Sequence, residues 1–205
     1  MGHSKAEKVK THKRIVAIAS KRFREEGLAG VGIAELMKQA GLTVGGFYKH
    51  FASRDNLVAE ALVSALEMWK RQINAAASGG GPPVTYKSLV GDYLSEAHRN
   101  HPGTGCPVSA LAGDIARSDK QTRALVTGKI RDNIELIANL VRDTSQPDKR
   151  AKGKRQTDKG VIRAHAILTY CALVGGISVA RAVSDEQLSQ EILKNVAQLL
   201  KNPAA

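Results

Sequence analysis

Aromatic residues, cysteines and long apolar runs are all scarce in this chain of 205 residues. Aromatic side chains make up 4%, so a core must consist mainly of Ala, Leu, Val and Ile, which favours packed helices. Two cysteines, Cys106 and Cys171, are too few for a disulfide framework. The longest nearly apolar run, residues 166–180, is shorter than the roughly 18 residues that a membrane span needs. These shortages predict a cytoplasmic helical protein without a membrane partner.

Acidic residues are also few: 19 Asp and Glu stand against 31 Lys and Arg, which gives a net charge of +12. Such an excess indicates an anionic partner, either nucleic acid or an acidic membrane surface. Residues 1–54 hold eleven basic and four acidic side chains, so a net charge of +7 lies in about a quarter of the chain. Two functions remain open here: a sequence-specific DNA-binding protein, and a nonspecific basic protein of DNA or membrane surfaces without an effector.

Catalytic signatures are missing as well. The glycine-rich stretch at residues 78–83, SGGGPP, lacks the Lys-Ser/Thr ending of a phosphate-binding loop. His98, His101 and Cys106 do not have the spacing of a zinc site, and a fourth ligand is missing. We therefore expect no enzyme activity, no metal and no cofactor.

Apolar residues recur with helical spacing along nearly the whole chain, and no alternating strand pattern occurs. The sequence therefore predicts an all-α fold of about nine helices. We place a DNA-binding head of three helices at residues 11–68, including the start of a connecting fourth helix. A larger effector-binding and dimerisation domain is expected at residues 69–205.

Local signals predict several helix ends. Gly27 is expected to end the first helix, and Ser53 and Ser184 are expected to cap the fourth and the last helices. One helix is expected over residues 85–100. Cys171 lies in an apolar stretch and is expected in the core.

Two short predicted helices, residues 33–40 and 44–51, flank a tight glycine turn inside the basic block, as in a helix-turn-helix. Gly45 and Gly46 would each cost a purely structural helix about 1 kcal/mol, which indicates close approach by another molecule. The alternative is that Tyr48 is a core aromatic and that the nearby cations are solvated surface charges. The predicted DNA-facing residues of the segment are Thr43, Val44, Gly46, Tyr48, Lys49 and His50.

Residues 11–62 resemble the tetracycline-repressor (TetR) family of bacterial transcription regulators. The match includes the first helix, IVAIASKRFREEG, and the following motif, IAELMKQAGLTVGGFYKHFASRDNL. The resemblance implies operator contacts at Thr43, Gly46, Tyr48 and His50, and a phosphate contact at Arg54. It also implies a regulator, most often a repressor, that leaves its operator when a small molecule occupies the second domain.

Three residues depart from the family pattern. Met37 stands where a small alanine is usual, so the packing of the motif must be adjusted. Gly32 replaces the threonine that commonly caps the first helix of the motif. Val44 is apolar where a polar base-reading residue is common, so it could touch only a thymine methyl group. None of these departures removes the motif, but the last makes the operator sequence hard to predict.

The predicted effector pocket rests on residue type, and ordinary core packing is the alternative for each member. Cys106 precedes Pro107, a favoured first helical residue, and a helix N-terminus favours the thiolate. We hypothesise that Cys106 reacts with an electrophile or oxidant and thereby releases DNA; the alternative is a small residue that fits a tight turn. The candidate pocket residues are Trp69, Tyr86, Tyr93, Cys106, Leu111 and Tyr170.

The last two predicted helices are more apolar than a chain of this size needs for itself. Residues 160–183 are apolar on almost every side, which predicts a helix buried all round. We expect these helices to form a homodimer as a four-helix bundle; the alternative is a central core helix within one chain. The predicted interface residues are Ile167, Val174, Gly175, Leu188, Ile192, Val196 and Leu199.

Overall fold

The computed structural model describes residues 5–78, 83–144 and 155–202, with side chains for residues 5–68, 83–143 and 159–202. These parts of the chain contain nine α-helices and two 3₁₀ helices and no strand, which confirms the all-α prediction. Two compact units are present. The first comprises Met1–Trp69 and His101–Lys129, and the second Lys70–Asn100 and Ile130–Ala205. The first unit thus includes a stretch that lies beyond the predicted head at residues 11–68.

Helix bounds agree with the sequence pattern except in four places. The helix predicted over residues 160–183 begins five residues earlier, at Arg155. The predicted helix over residues 85–100 is divided at Leu94, whose ψ of 43° ends its first part. Asp185, rather than Ser184, caps the last helix by accepting bonds from two backbone N–H groups. A 3₁₀ helix replaces the predicted α-helix at residues 44–51. The α-helices are α1 Lys5–Glu26, α2 Ile33–Gln39, α3 Arg54–Ser78, α4 Tyr86–Tyr93, α5 Glu96–Asn100, α6 Pro107–Arg117, α7 Lys120–Thr144, α8 Arg155–Ala182 and α9 Glu186–Lys201, and the 3₁₀ helices are Val44–Lys49 and Pro102–Thr104.

Helix α1 is the long central element of the first unit. Its buried residues, among them Ile15, Ala19 and Phe23, follow helical spacing on one face. The helix ends where Gly27 takes a φ of +82°, a conformation that glycine adopts without strain. The sequence prediction that Gly27 terminates this helix is therefore confirmed.

Helix α1 also packs against the second 3₁₀ helix and α6. A Cβ atom at Gly103 would come too close to the carboxylate of Glu25 and to Cγ of Lys21, so a larger residue there would require these exposed side chains to shift. Arg24 is buried beside it and donates hydrogen bonds to the carbonyls of Ser20, at 2.9 Å, and Gly105, at 2.7 Å. These bonds fix the turn that precedes Cys106 to α1.

The second unit is held together around α8, which packs on α9 and α5. Arg181 donates to the carbonyls of His98 and Arg99, and so satisfies the C-terminal end of α5. Arg99 in turn donates to Ser189 Oγ at 2.7 Å and forms an ion pair with Glu186 at 2.8 Å. These contacts connect α5, α8 and α9.

Helix α8 is not buried all round, contrary to the prediction. Val161 and Leu168 are 65% and 63% exposed, and Cys171, which its apolar surroundings placed in the core, is exposed as well. The segment Lys159–Ala182 is the one described helix that is long and apolar enough to cross a membrane by length and composition. A third of its most apolar stretch of 18 residues is buried. The nearly unbroken apolar run at residues 166–180 is only 15 residues long, but the helix around it is also apolar apart from scattered polar positions. The full length of the apolar helix was therefore not visible from that run. An uncovered apolar face therefore runs along α8.

Candidate nucleic-acid interface

The recognition segment, residues 43–50, consists of the first 3₁₀ helix and the residue on either side. Thr43 has an extended backbone and makes no side-chain capping bond, so its hydroxyl is not used to start the helix. Phe47 is fully buried and anchors the segment to the body of the unit. Tyr48 and Val44, by contrast, are 69% and 48% exposed. The Phe47 side chain therefore anchors the recognition segment, whereas Tyr48 and Val44 are exposed to solvent.

The turn before the recognition segment has the geometry of a helix end closed by glycine. Gly41 takes a φ of +69°, which disfavours any residue with a Cβ atom. The backbone N–H of Gly41 donates to the carbonyl of Lys38 at 3.0 Å, and that of Leu42 donates to Met37 at 2.9 Å. These bonds end α2 and redirect the chain, as a helix-turn-helix requires.

The two adjacent glycines are not needed for packing within the protein. A Cβ atom at Gly45 would meet no atom within 4 Å, and one at Gly46 would lie 3.6 Å from Cε of Met37, an ordinary contact. Met37 itself is fully buried, so the methionine found where the family has alanine is accommodated beside Gly46. The fold therefore permits side chains at both positions, and packing among the described residues does not require glycine at either.

A cluster around Arg22 fixes α2 to α1. Arg22 pairs with Glu26 on its own helix and reaches Glu35 on α2 at 2.6 Å. It also donates to Oε1 of Gln39 at 3.0 Å. The hydrogen bonds to the two carboxylates raise the pKa of Arg22 above its usual value, and the bond to Arg22 lowers the pKa of Glu26. The cluster sets the position of the helix that precedes the turn.

Arg54, at the N-terminus of α3, is engaged by the protein itself. Its guanidinium donates to the carbonyls of Leu28 and, at 3.4 Å, Val31, and it lies 5.6 Å from the ring centroid of Phe23. Ser53 accepts a bond from the backbone N–H of Asn56, so it caps α3 as predicted. A phosphate contact at Arg54 stays a prediction, and it would require these bonds to open.

Two histidines and an aromatic ring connect the recognition segment to α1 and α3. The ring of His12 lies against Phe51, with 4.5 Å between centroids, and 6.1 Å from the ring of His50. His12 Nε2 donates to a carboxylate oxygen of Glu60 at 2.6 Å. His12 and Glu60 therefore brace the C-terminal end of the recognition segment from two helices.

The imidazole of His50 is partly shielded and lies among cations. Burial is the main cause that lowers its pKa, and the positive charges of His12, Lys8 and Lys49 lower it further. Its Nδ1 atom is buried and has no hydrogen-bond partner among the described residues. His50 is therefore held in the neutral form, with hydrogen-bonding capacity that the described part of the protein does not use.

The structure brings Thr43, Val44, Gly46, Tyr48, Lys49 and His50 together on one short segment, with Arg54 turned into the supporting framework. Sequence reasoning missed the residues that support them: His12, Arg22 and Glu60. The spacing of Arg22 and Glu26 by four residues was a visible signal of a helix pair. Nothing local in the sequence indicated that His12 and Glu60, 48 residues apart, meet.

The predicted effector residues are not gathered in one unit. Tyr86, Tyr93 and Tyr170 are buried in the second unit, where Tyr86 Oη and Thr169 Oγ1 are 3.0 Å apart. Cys106 and Leu111 belong to the first unit, and the side chain of Trp69 lies outside the described residues. Burial raises the pKa of Tyr86, partly offset by the bond with Thr169.

The predicted interface residues on α8 and α9 are all exposed or half-buried in the single chain. Leu199 is 67% exposed, and Ile167 and Leu188 are exposed as well. Val174, Gly175, Ile192 and Val196 are half-buried, and the Val196 side chain already packs near Gly176 of its own chain. Sequence reasoning missed Val161, Leu168 and Val179, which extend the same exposed apolar face.

A short exposed segment on buried anchors, preceded by a braced helix and a glycine turn, defines a helix-turn-helix DNA-binding domain. Residues 15–61 match the family model of bacterial regulatory proteins, tetR family. These matched residues are therefore similar to the bacterial tetR family of regulatory proteins, and they include the whole helix-turn-helix. No curated protein matches its sequence.

Solved structures of similar fold cover nearly the whole chain. The reduced form of Escherichia coli NemR is 20% identical, with a TM-score of 0.71 over 96% of this chain and 97% of that one. A TetR-family regulator from Cytophaga hutchinsonii is 17% identical, with a TM-score of 0.73 over 98% of each chain. A TetR regulator from Chloroflexus aurantiacus is 20% identical, with a TM-score of 0.68 over 96% of each. At such identities the likeness concerns the fold.

Proposed function

We propose that the protein is a ligand-responsive repressor that binds operator DNA through the recognition segment and leaves it when its effector domain is occupied. The observation that carries the DNA contact is the contrast between Phe47 and Tyr48, adjacent residues of which one is fully buried and the other 69% exposed. Exposed aromatic, hydroxyl and cationic groups on a braced short helix suit the major groove and its phosphates.

Each exposed residue of the segment has a distinct role in this proposal. Thr43, Tyr48 and Lys49 offer hydroxyl and ammonium donors to phosphates, which position the protein. Val44 can contact a thymine methyl group, which reads sequence. Gly46 lets the backbone come close to the DNA, and the neutral His50 supplies a donor or an acceptor.

The experiment that tests this proposal is a gel-shift titration with the DNA upstream of the protein's own gene, beside random DNA of equal length. Specific regulators bind their sites roughly 10³–10⁷-fold more tightly than nonspecific DNA. A large preference for the upstream DNA, reversed by one member of a panel of small molecules and electrophiles, is the expected result. Equal affinity for both DNAs would instead favour a nonspecific basic protein.

We further propose a homodimer assembled through α8 and α9 in the cytoplasm. The exposed apolar residues of these helices support it, since a contiguous face of this kind usually marks an interaction site. Two-fold pairing would cover the face of α8 and bring two recognition segments to one DNA. Arg163 and Arg181, which make polar contacts on the flanks of α8, fit a protein interface better than a lipid one.

We also propose that Cys106 senses an electrophile. Its half-buried thiol stands at the N-cap of α6, and the adjacent carbonyl of Gly105 accepts a bond from the buried Arg24 of α1. Alkylation would add bulk beside a bond that ties the turn to α1, the helix on which the DNA-binding domain is built.

Thiol labelling with iodoacetamide between pH 6 and 9 tests this sensor. We expect Cys106 to be alkylated near neutral pH, with loss of operator binding in the wild type and in Cys171→Ser but not in Cys106→Ser. An unreactive Cys106 near neutrality ends the idea of a thiol sensor. It leaves the DNA-binding proposal standing, because a noncovalent effector would still be possible.

A further inference from the structure

Helix α1 begins well before the core of the first unit. Residues 5–10 are all exposed, and the first fully buried residue is Ile15. At 1.5 Å per residue, α1 therefore extends about 15 Å ahead of Ile15. Residues 5–14 carry five basic side chains and one carboxylate, which leaves a net charge of +4.

The cations of this extension are not equivalent, because they lie on different faces of the helix. Ile15, Val16 and Ala19 define the inward face of α1. At 100° per residue the same face continues toward the N-terminus through His12, Lys8 and Lys5, whereas Lys10 and Arg14 lie on the opposite face. Positions that face the protein interior further along the helix thus carry lysine here.

The inward face of this extension lies beside the recognition segment. His12 is 6.1 Å from His50, between ring centroids, and Lys8 is one helical turn before His12. The charge of Lys8 is close enough to act on the imidazole of His50. The lysines on this face are therefore continuous with the exposed cationic end of the recognition segment.

We propose that residues 5–12 form an amino-terminal arm whose Lys5 and Lys8 bind the phosphate backbone of DNA held at the recognition segment. The inference rests on the proposed DNA binding and adds a second contact surface to it. Within residues 5–12 this face carries Lys5, Lys8 and His12 beside one large apolar side chain, Val9, which is 49% exposed. A face covered by protein would be expected to carry mainly apolar groups, and the two lysines instead complement a polyanion. Lysine acts on phosphate as a point charge, so the arm adds affinity without reading sequence.

The two faces of the helix supply a matched control. Lys5→Gln/Lys8→Gln and Lys10→Gln/Arg14→Gln each remove two positive charges from exposed positions of the same helix. Affinity for the upstream DNA is measured by fluorescence anisotropy between 50 and 200 mM salt. Each phosphate contact contributes about 0.9 to the slope of log K against log salt. We expect the first variant to lose about 1.8 of that slope. The factor by which its DNA affinity decreases between 50 and 200 mM salt should therefore be roughly 12-fold smaller than the wild-type factor.

The control variant is expected to lose less than half as much slope, and both variants should keep the wild-type unfolding midpoint and the preference for operator over random DNA. Equal losses in the two variants would overturn the assignment to one face, and an unchanged slope in Lys5→Gln/Lys8→Gln would overturn the arm altogether. Those outcomes leave specific binding by the wild type intact. A wild-type protein that does not distinguish operator from random DNA overturns the arm and the proposed function together.

Discussion

The recognition segment and the exposed face of α8 and α9 both lie at the surface, but they depart from an ordinary surface in opposite directions. The recognition segment has small and polar residues around a single buried anchor, Phe47. The face of α8 and α9 has large apolar side chains such as Leu168 and Leu199, which are 63% and 67% exposed among the described residues. The first surface suits a hydrated polyanion, and the second suits another apolar surface.

This contrast teaches that substitutions in the two regions should separate binding from assembly. Exposed side chains of the recognition segment contribute little to the folded state, since surface substitutions usually change stability by about 0.5 kcal/mol or less. The apolar face is costly in a single chain and becomes favourable only when it is buried, by about 25 cal/mol per Å². Substitutions in each region therefore test whether DNA binding and dimer assembly depend on different surfaces.

The largest effect is expected from a charge on the apolar face. Leu188→Asp would place a carboxylate in the proposed dimer interface, so the dimer should dissociate and operator affinity should fall by about 100-fold with the loss of bivalent binding. Analytical ultracentrifugation and anisotropy measure the two effects. Gln187→Asp, an exposed change in the first turn of α9 and away from Leu188 around the helix, is the control and should change neither. A Leu188→Asp variant that stays dimeric and binds the operator normally would show that this apolar face is not the dimer interface.

The next effect is expected from Tyr48→Ala. This change removes the proposed hydrogen bond from the hydroxyl to a phosphate, and a hydrogen bond to a charged group contributes about 1.5–3 kcal/mol. Affinity for the operator should therefore fall roughly 10- to 100-fold while the dimer and the unfolding midpoint stay unchanged. Tyr48→Phe separates the hydroxyl from the ring, because it removes only the polar contact. If Tyr48→Ala retained full sequence-specific binding, the recognition segment would be assigned wrongly.

Much of this contrast could be predicted from the sequence, because it depends on local signals. Helical periodicity, the glycine that ends α1 and the turn at Gly41 depend on neighbouring residues, and they predicted the ends of α1 and α2 correctly. The exposed face of α8 was predicted wrongly as fully buried, since composition shows that a helix is apolar but not which sides the same chain covers. Asp185 and Ser184 are both good caps, and only the structure distinguishes them.

The supporting contacts of the site were harder to predict, because they depend on distant pairs. Arg54 is predicted to contact phosphate, and sequence reasoning did not foresee that its Nη2 donates to the carbonyls of Leu28 and Val31. Those carbonyls belong to a loop whose course the sequence does not specify. His12 and Glu60 likewise carry no motif, so their role appears only when α1 and α3 are packed.

A smaller effect is expected from the paired glycines, and it sharpens the distinction between folding and binding. Gly46→Ala would place its Cβ 3.6 Å from Met37, an ordinary contact, so stability should change by no more than about 0.5 kcal/mol. Operator affinity should nevertheless fall by about tenfold, because a methyl group would separate the backbone from DNA. Gly45→Ala, with open space around it, is the control and should bind nearly as the wild type does. Equal affinities for all three proteins would show that Gly46 does not face DNA.

The smallest effect is expected on stability as the pH falls, and it concerns His50 at the boundary between framework and DNA surface. Burial and the nearby charges of His12, Lys8 and Lys49 lower the pKa of His50 in the folded state. Once the pH falls below about 6.5, the ordinary value for histidine, the unfolded chain binds a proton more readily than the folded one. The stability that this group contributes is therefore complete above that pH and is lost as the pH falls toward the lower folded-state pKa.

Thermal unfolding of the wild type and His50→Gln between pH 7.5 and 5 measures this loss. The wild type should lose more stability on acidification than His50→Gln, because glutamine cannot take up the proton. Glu60, which accepts the hydrogen bond of His12, remains in both proteins, so its own titration cancels in the comparison. Parallel pH profiles would mean that His50 is as free to ionise in the folded state as in the unfolded chain. In that case it would belong with the solvated recognition surface rather than with the framework.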